Sequence, residues 1–390
     1  MVMAYDLSDE QRLFRDTVRR LAKERVEPRA AEIDATGEYP FDIYQLFQEY
    51  GLLGLGMPEA YGGAGADLLT LAVAIEEVAR VCATSSLIIA AQHLGAMPIM
   101  LAGTPEQKER FLRPIATGKH MAAFALTEPE AGSDAAAART RAVADARGGY
   151  RLSGSKVFIT NGGLADTVVV FAATGEKSGA SSVSAFVLDK DMPGFTVGRV
   201  EKKLGIRGSQ TAQLLFDDVY LESDRLLGQV GEGFKIAMRT LDRTRLGIAA
   251  QALGIAQGAF DLALAHVRER RQFGRALSDF QGLQWMVSDL AVQIEASRQL
   301  LYRASEVVEG AGFAIESSAE VTRLSAMAKL MCSDTAMRVT TDAVQLYGGY
   351  GYIQDYPVER MMRDAKITQI YEGTNQVQRI VIFRNLEADS

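Results

Sequence analysis

The chain has 390 residues, a hydrophobic share of 48% and a net charge of -7. That length suits two or three domains, and the mild acidity argues against a nucleic-acid-binding surface, which needs a basic face. Two cysteines, Cys82 and Cys332, are too few for a disulfide scaffold, and no apolar leader segment or uninterrupted membrane-length apolar run is visible. We therefore expect a cytoplasmic protein that contacts neither nucleic acid nor membrane.

Residues 1–120 have the pattern of a helical domain. Ser8 with Gln11, and Thr104 with Gln107, form capping-box signals before periodic apolar stretches. Between these signals, one face of a predicted helix carries an apolar stripe. The stripe consists of Leu68, Leu71, Ala72, Ile75, Val78 and Ala79.

Residues 121–230 change to short β-rich runs separated by turns that contain glycine and proline. The clearest runs are 156–159, 167–171, 184–188 and 213–216. Because no long amphipathic helix interrupts them, an antiparallel β-barrel or sandwich is favoured over a doubly wound sheet.

Long helical patterns return in residues 231–390. Residues 241–245 are predicted to begin a long helix, with residues 269–274 near its end. Breaks are predicted at residues 310–312 and 347–352. The expected fold class is α+β, in the order helices, sheet, helices.

Common motifs of other enzyme classes are missing from the sequence. No GxGxxG follows a strand, so a Rossmann site is unsupported, and residues 149–156 match a P-loop only in part. His93, His120 and His266 are scattered, which argues against a metal site. A cofactor would then supply the difficult step of any catalysed reaction.

Three parts of the chain carry residues suited to chemistry. Residues 124–134 offer hydroxyl and backbone donors to a flat polar ring or a phosphate, and the arginines of 241–245 and 269–274 suit phosphates. In residues 370–376, partial burial would raise the pKa of Glu372 towards that of a general base. Taken singly, a surface loop, a solvated helix face and a polar surface glutamate are simpler explanations.

Together, the motifs make the chain resemble the acyl-CoA dehydrogenases over essentially its whole length. The matching segments, in the order found in that family, are 127–133, 158–161, 270–274, 345–349 and 371–374. The resemblance implies an N-terminal helical domain (1–120), a middle β-domain (121–230) and a C-terminal four-helix bundle (231–390) around FAD.

The resemblance also implies which residues contact FAD. Those near the isoalloxazine ring would be Phe124, Leu126, Thr127, Gly132, Ser133, Phe158, Ile159 and Thr160. Those binding the adenosine diphosphate part, on a neighbouring subunit, would be Arg270, Phe273, Gln281, Gln345, Gly348 and Gly349. Thr374 and Gln376 would contact FAD just after the base. A homotetramer, built as a dimer of dimers, follows from this sharing, and Phe158 stands where many members have tryptophan.

Glu372 matches the catalytic base of the family. It would remove the α-proton of an acyl-CoA thioester while a hydride leaves the β-carbon for the flavin, and its backbone N–H would help to polarise the thioester carbonyl. The product would be a trans-2-enoyl-CoA, and an electron-transfer flavoprotein would take up the electrons. Relatives of the isovaleryl type carry their glutamate at the position of Thr244, so this sequence offers a single candidate. The implied substrate contacts are Ser133, Asp242, Arg245, Tyr371 and Gly373.

Residues 246–251 and 280–284 resemble short-chain and short/branched-chain members most. The expected substrate is therefore a short or 2-methyl-branched saturated acyl-CoA. Three alternatives stay open: an oxidase that passes electrons to oxygen, a nitroalkane-oxidising relative, and a non-catalytic scaffold. Glu372 counts against the nitroalkane-oxidising type, which uses aspartate, and the retained set of motifs counts against the scaffold.

Overall fold

The protein is described here by a computed structural model that covers residues 7–175, 179–313 and 318–387. Helices come first, then one large sheet, then helices again, which confirms the predicted fold class. Residues 1–6, which carry part of the prediction that no leader segment is present, lie outside the described residues, as does the end of the chain after residue 387.

The N-terminal helices begin where the capping signals predict. Ser8 Oγ accepts the N–H of Gln11 at 3.1 Å, while the Gln11 side chain accepts the N–H of Ser8 at 3.0 Å. Thr104 and Gln107 make the same reciprocal pair. Both capping boxes are confirmed. The helices are α1 (Asp9–Leu21), α2 (Ala30–Thr36), α3 (Phe41–Glu49), α4 (Leu68–Ala79), α5 (Ala83–Ala102), α6 (Pro105–Gln107) and α7 (Arg113–Ala116).

Helix α4 is buried on every side, so its predicted apolar stripe is only part of its buried surface. The burial includes Glu76 and Glu77, and both carboxylates are paired because an unpaired buried charge is costly. Glu77 lies 2.7 Å from Arg19 of α1, and Glu76 lies 3.1 Å from Arg298. These pairs join the C-terminal half of α4 to the helices that carry Arg19 and Arg298.

The middle part of the chain forms one eight-stranded sheet with the order β6-β7-β3-β2-β4-β5-β8, and β1 pairs with β4. Its strands are β1 (Ala122–Ala125), β2 (Arg141–Ala144), β3 (Tyr150–Thr160), β4 (Thr167–Ala173), β5 (Val183–Asp189), β6 (Phe195–Val200), β7 (Thr211–Leu221) and β8 (Leu226–Leu227). The four predicted runs lie within β3, β4, β5 and β7. Two pairings, β1–β4 and β2–β4, are parallel, and the others are antiparallel.

The C-terminal part contains three long helices and two shorter ones. They are α8 (Gly233–Glu269), α9 (Gln281–Gly310), α10 (Ala319–Tyr347), α11 (Val358–Thr368) and α12 (Asn375–Glu387). The prediction that the first of them begins at Leu241 is wrong, because Ile236 and Ala237 already belong to the buried face of α8.

A small hairpin follows α8 where the sequence suggested only the end of a helix. It consists of β9 (Arg271–Gln272) and β10 (Arg275–Ala276). Its two turn residues, Phe273 and Gly274, have φ of 53° and 78°, as a two-residue turn of this type requires. The hairpin carries Phe273 to the surface, where the side chain is 92% exposed.

Helices α5 and α8 are long and apolar enough to cross a membrane, judged by length and composition alone. In their most apolar windows, 89% of the α5 residues and 67% of the α8 residues are buried inside the protein. Their apolar side chains therefore form the core between the N-terminal and C-terminal helices.

Candidate active site

Glu372 lies in the loop between α11 and α12, where α8 and α10 approach it. The backbone has a positive φ at two successive positions, 50° at Glu372 and 89° at Gly373. Glycine adopts this conformation freely, whereas a residue with a side chain is strained by about 1–2 kcal/mol. Surrounding contacts must therefore hold the glutamate in place.

Both carbonyl oxygens of this strained turn accept side-chain hydrogen bonds. Gln378 Nε2 donates to Glu372 O at 3.1 Å and to Gly373 O at 2.8 Å. Arg245 Nε donates to Glu372 O at 3.3 Å, and Lys329 Nζ donates to Gly373 O at 2.8 Å. Donors from α8, α10 and α12 thus fix the turn, while the N–H of Glu372 donates to no group within the described residues.

The carboxylate of Glu372 is held by one hydroxyl and lies close to two cations. Thr244 Oγ1 donates to Glu372 Oε2 at 2.9 Å. Burial raises the pKa of Glu372 to about 7, against the opposing effects of this hydrogen bond and of the positive charges of Arg245 and Lys329. A carboxylate with a pKa near neutrality is suited to act as a general base.

Four of the five predicted substrate contacts gather around Glu372. Arg245 and Asp242 form an ion pair of 3.1 Å, and each side chain is about nineteen-twentieths buried. Thr322 Oγ1 donates to the second oxygen of Asp242 at 2.8 Å. The hydroxyl of Tyr371 donates to the Gln251 side chain on α8. The fifth residue, Ser133, is exposed in the β-domain and makes no described contact with this group.

The loop after β1 is tied to β3 by a buried lysine. Lys156 Nζ donates to Leu126 O at 2.9 Å and to Glu128 Oε1 at 2.7 Å. The Lys156 side chain is fully buried, and that of Glu128 is 5% exposed. Thr127 O accepts the N–H of Val157 at 2.9 Å. The first and second family motifs therefore lie side by side.

These two motifs present mainly open backbone and one exposed ring. Phe124, Thr127 and Thr160 are partly buried, and a Cβ added to Gly132 would meet nothing within 4 Å. Phe158 has a φ of 58° and is 65% exposed, whereas the Ile159 side chain is buried in the core of the β-domain. Any contact of Ile159 with a cofactor would therefore involve its backbone.

The predicted residues for the adenosine diphosphate part lie at a cleft beside the C-terminal helices. The cleft has a volume of about 510 Å³, and Arg270, Gln345, Gly348 and Gly349 all line it. Neither glycine has a neighbour within 4 Å of an added Cβ, so the backbone is open to a ligand. Phe273 and Gln281, predicted for the same site, are outside this lining.

Thr374 and Gln376 line a separate cleft of about 420 Å³, together with Asp334 and Arg379. Within one chain, the residues predicted to contact FAD therefore occupy three surfaces: the β-domain loop, the cleft at Arg270 and the cleft at Thr374.

Sequence reasoning missed Lys329, Gln378 and the Lys156–Glu128 pair. A lysine is ordinarily a surface residue, and Lys329 is fully buried. The available signal was its position within the apolar segment 326–331, where a solvent-exposed helix face would carry further polar residues.

The chain is similar to known proteins over nearly its whole length. Family models described as the N-terminal, middle and C-terminal domains of acyl-CoA dehydrogenase match residues 8–119, 123–219 and 231–387. The chain is 49% identical over 382 residues to a short-chain specific acyl-CoA dehydrogenase of Clostridium acetobutylicum, covering 97% of this chain and 98% of that protein.

Two solved structures have the same fold. Butyryl-CoA dehydrogenase from Megasphaera elsdenii is 44% identical with a TM-score of 0.94, and the match covers 99% of this chain and 100% of that one. A chain in the structure of the electron transferring flavoprotein of Acidaminococcus fermentans is 48% identical with a TM-score of 0.94, covering 98% and 99%.

Proposed function

Since the chain belongs to the acyl-CoA dehydrogenase family of flavoprotein oxidoreductases, we propose that it oxidises a short saturated acyl-CoA to the trans-2-enoyl-CoA, with Glu372 as base. The observation that carries the proposal is the combination of a raised pKa and fixed geometry at this glutamate. Its carboxylate is held by Thr244, has a pKa of about 7, and stands on a loop fixed by four donor contacts.

The chemistry of the base follows from its surroundings. The α-proton of a thioester is weakly acidic, so the carbonyl must be polarised as the proton leaves. The N–H of Glu372, which has no acceptor among the described residues, would donate to the thioester oxygen, and the carboxylate of the same residue would take the proton. Such general-base action contributes about 10²–10⁴-fold to the rate.

The residues present fit FAD, which we propose as the cofactor. FAD, when bound, supplies an acceptor for the hydride that leaves the β-carbon. The half-buried Thr127 and the exposed ring of Phe158 suit a flat ring system, and Arg270 with the open backbone of Gly348 and Gly349 suits a pyrophosphate.

The length of α8 supports a shared cofactor. Thr244, at the base, and Arg270, at the cleft, are separated by 26 residues along or directly after α8. At 1.5 Å per helical residue this is roughly 39 Å, too far for one FAD to span. We therefore propose that the Arg270 cleft serves the FAD of a neighbouring subunit in a homotetramer, a dimer of dimers.

Exposed apolar residues on two helices support this assembly. Trp285 and Val292 of α9 are 63% and 69% exposed, and Ile380 and Phe383 of α12 are 50% and 60% exposed. Apolar surfaces of this kind on a soluble protein are typical of subunit interfaces.

A short or 2-methyl-branched acyl chain is the proposed substrate. Gln251 accepts a hydrogen bond from Tyr371 and donates to Ala83 O and Ser86 Oγ of α5, at 2.9 and 3.2 Å. This buried polar chain beside Glu372 suits a short acyl group better than a long apolar one. The short-chain relative and the butyryl-CoA dehydrogenase structure point the same way.

Electron transfer to an electron-transfer flavoprotein in the cytoplasm completes the proposal. The similarity to a chain in the structure of such a flavoprotein supports this partner. The alternative acceptor is oxygen, as in the oxidases of the same fold. Mixing the anaerobically reduced protein with the flavoprotein or with air distinguishes them, since a dehydrogenase is reoxidised much faster by the flavoprotein.

The deciding experiment is an anaerobic titration of the purified protein with acyl-CoAs, followed by its visible spectrum. We expect butyryl-CoA and 2-methylbutyryl-CoA to bleach an oxidised-flavin spectrum, and Glu372→Gln to abolish bleaching while retaining the flavin. Glu222→Gln, at an exposed position of the β-domain, is the matched control. Bleaching only by long straight chains would refute the substrate proposal, and a flavin indifferent to every acyl-CoA would refute the reaction.

A further inference from the structure

We propose that Lys329 is a positioning residue for the base: by binding the Gly373 carbonyl, its ammonium group fixes the direction of Glu372. The inference rests on the proposed function, in which Glu372 removes the proton. It adds a residue of α10 that never touches the substrate but determines how the base is presented.

The geometry places Lys329 directly behind the base. Its side chain is fully buried in the middle of α10. Lys329 Nζ donates to Gly373 O at 2.8 Å and to Asn375 Oδ1 at 2.9 Å. One ammonium group therefore binds Gly373 and Asn375, the two residues that flank Thr374, in the segment that follows Glu372.

The next turn of α10 holds Asn375, the second residue that Lys329 binds. Asn375 Nδ2 donates to Ser333 Oγ at 2.9 Å and to Asp334 Oδ1 at 2.7 Å. Asn375 is thus held by α10 independently of Lys329. Because Lys329 binds both Asn375 and Gly373 O, it also restrains the Gly373 carbonyl. This peptide follows the positive-φ backbone of Glu372, which has no regular secondary structure to hold it.

Displacement of Gly373 would be passed through the Glu372–Gly373 peptide to the Cα of Glu372. The carboxylate would then move away from the hydroxyl of Thr244, and the N–H of Glu372 would change direction with it. Gln378 also donates to Gly373 O but lies on α12, directly after the loop. Lys329 is therefore the residue that attaches the Gly373 carbonyl to α10.

The charge of Lys329 also supports Glu372 as a base, because a nearby cation stabilises the carboxylate. The charged groups facing Glu372 are Arg245 from α8 and Lys329 from α10, and Tyr371 is its titratable chain neighbour. Lys329 itself faces Glu372, Arg245 and Asp334, and burial lowers the pKa of its ammonium to about 7. In its charged form, Lys329 favours the carboxylate form of the base.

The test compares the holoenzyme with Lys329→Met, whose unbranched side chain is one atom shorter and has neither donor nor charge. Flavin reduction by butyryl-CoA is measured anaerobically by stopped flow across the pH range around neutrality. We expect reduction at pH 7 to slow by about tenfold or more, with the acid limb of the profile displaced upward by about one pH unit, as loss of a neighbouring cation requires. The Kd of an enoyl-CoA should change little.

Two further variants separate positioning from stability. Lys329→Gln retains a donor without the charge, so it should recover part of the rate at high pH and keep the displaced limb. Lys190→Met removes an exposed lysine of the β-domain and should match the unmodified protein. If Lys329→Met yields no holoenzyme, Lys329→Gln decides; failure of both to fold would assign Lys329 to stability alone and overturn the proposal.

A readout independent of turnover keeps the two proposals distinct. Infrared difference spectra between each protein and its Glu372→Gln counterpart follow the ionisation of Glu372 directly. If no acyl-CoA reduces the flavin, the proposed function fails, yet this titration still tests Lys329. An unchanged Glu372 midpoint in Lys329→Met, together with an unchanged rate where turnover exists, would overturn the inference.

Discussion

Two opposing effects act on the carboxylate of Glu372. Burial disfavours its charge, while Thr244, Arg245 and Lys329 stabilise it, and the balance leaves the pKa at about 7. A fully solvated glutamate would be ionised but too weak a base, whereas an unassisted buried one would be protonated at neutral pH. The neighbours of this residue therefore determine whether it can act.

Removing the hydroxyl that binds the base tests this balance. Thr244→Val keeps the side-chain shape but leaves Glu372 Oε2 without its donor, so the pKa of Glu372 should rise. A hydrogen bond to a charged group contributes about 1.5–3 kcal/mol, which corresponds to a rise of about one pH unit or more. Only the carboxylate form of Glu372 can take up a proton, and less of it is present near pH 7 when the pKa is raised. The rate of flavin reduction should therefore fall near pH 7 and recover at higher pH.

The measurement is the pH profile of anaerobic flavin reduction, with retention of the flavin as the control for folding. A Thr244→Val profile that coincides with that of the unmodified protein would show that the hydroxyl does not tune Glu372. A loss of rate that persists unchanged at high pH would indicate altered geometry instead.

Among the elements, the loop after β1 and strand β3 are joined by a buried ion pair. Lys156→Met would leave Glu128 buried without its cation, which costs about 3–5 kcal/mol. The loop that carries Thr127 should loosen as well, so we expect a lower free energy of unfolding and easier loss of flavin. Urea unfolding and the released flavin fraction measure the two effects.

The double variant Lys156→Met with Glu128→Gln is the control, because it removes both charges and keeps a side-chain oxygen that can accept the N–H of Arg139 or Thr140. It should be more stable than Lys156→Met alone, since no uncompensated charge remains buried. Equal destabilisation of the single and double variants would show that packing, and not charge pairing, dominates here.

Helices α4 and α8 approach each other through glycine. A Cβ added to Gly254 would lie 2.2 Å from the backbone oxygen of Glu76, so the helices would have to separate. Gly254→Ala should lower the free energy of unfolding by about 1–3 kcal/mol. Gly282→Ala, in α9, meets nothing within 4 Å and should gain up to about 1 kcal/mol. Similar values for the two variants in urea unfolding would contradict the close packing.

Local sequence signals predicted where secondary-structure elements begin better than they predicted which residues pack together in the folded chain. Ser8 and Thr104 identified helix starts because a capping box depends on residues within one turn. The β9–β10 hairpin escaped notice because its turn, Phe273-Gly274, lacks the usual Asn or Asp before glycine. Lys329 was missed because its burial depends on α8 and on the 373–375 segment, which are distant in sequence.

The proposed catalytic residue was identifiable only through the family motifs. Glu372 alone resembled a polar surface residue. Its hydrogen bond to Thr244, 128 residues away, and the bond between Lys329 and Gly373, 44 residues apart, exist only in the folded chain.

At the scale of the whole molecule, the loop between β6 and β7 connects the three parts of the chain. Asp364 of α11 accepts the N–H of Ile206 at 2.6 Å. Arg363 donates to Leu204 O at 3.1 Å and pairs with Asp34 of α2 at 2.6 Å. The sheet is therefore held to both helical parts at one point.

Asp364 should make this junction sensitive to pH. Burial raises the pKa of its carboxyl to about 6, against the opposing hydrogen bond from Ile206, whereas an unfolded aspartate has a pKa of about 3.9. The folded protein therefore binds more protons between these values, and this contribution to stability is lost as pH rises from about 4 to about 6.

Asp364→Asn removes that dependence. The free energy of unfolding of the variant minus that of the unmodified protein should increase by about 2–3 kcal/mol between about pH 4 and pH 7. Urea unfolding at a series of pH values measures it. A constant difference across the series would show that Asp364 does not titrate in this window.

Helix α8 also limits how the chain can vary in length. It is continuous from Gly233 to Glu269 and carries Thr244 at the base, with Arg270 directly after its end. One residue inserted between Thr244 and Gly254 would advance the C-terminal half by 1.5 Å and rotate it by about 100°, turning Gly254 and Gly258 away from Glu76 and Arg80. Surface turns such as residues 145–149 can absorb insertions and deletions, whereas in α8 such a change would misalign Thr244 relative to Arg270.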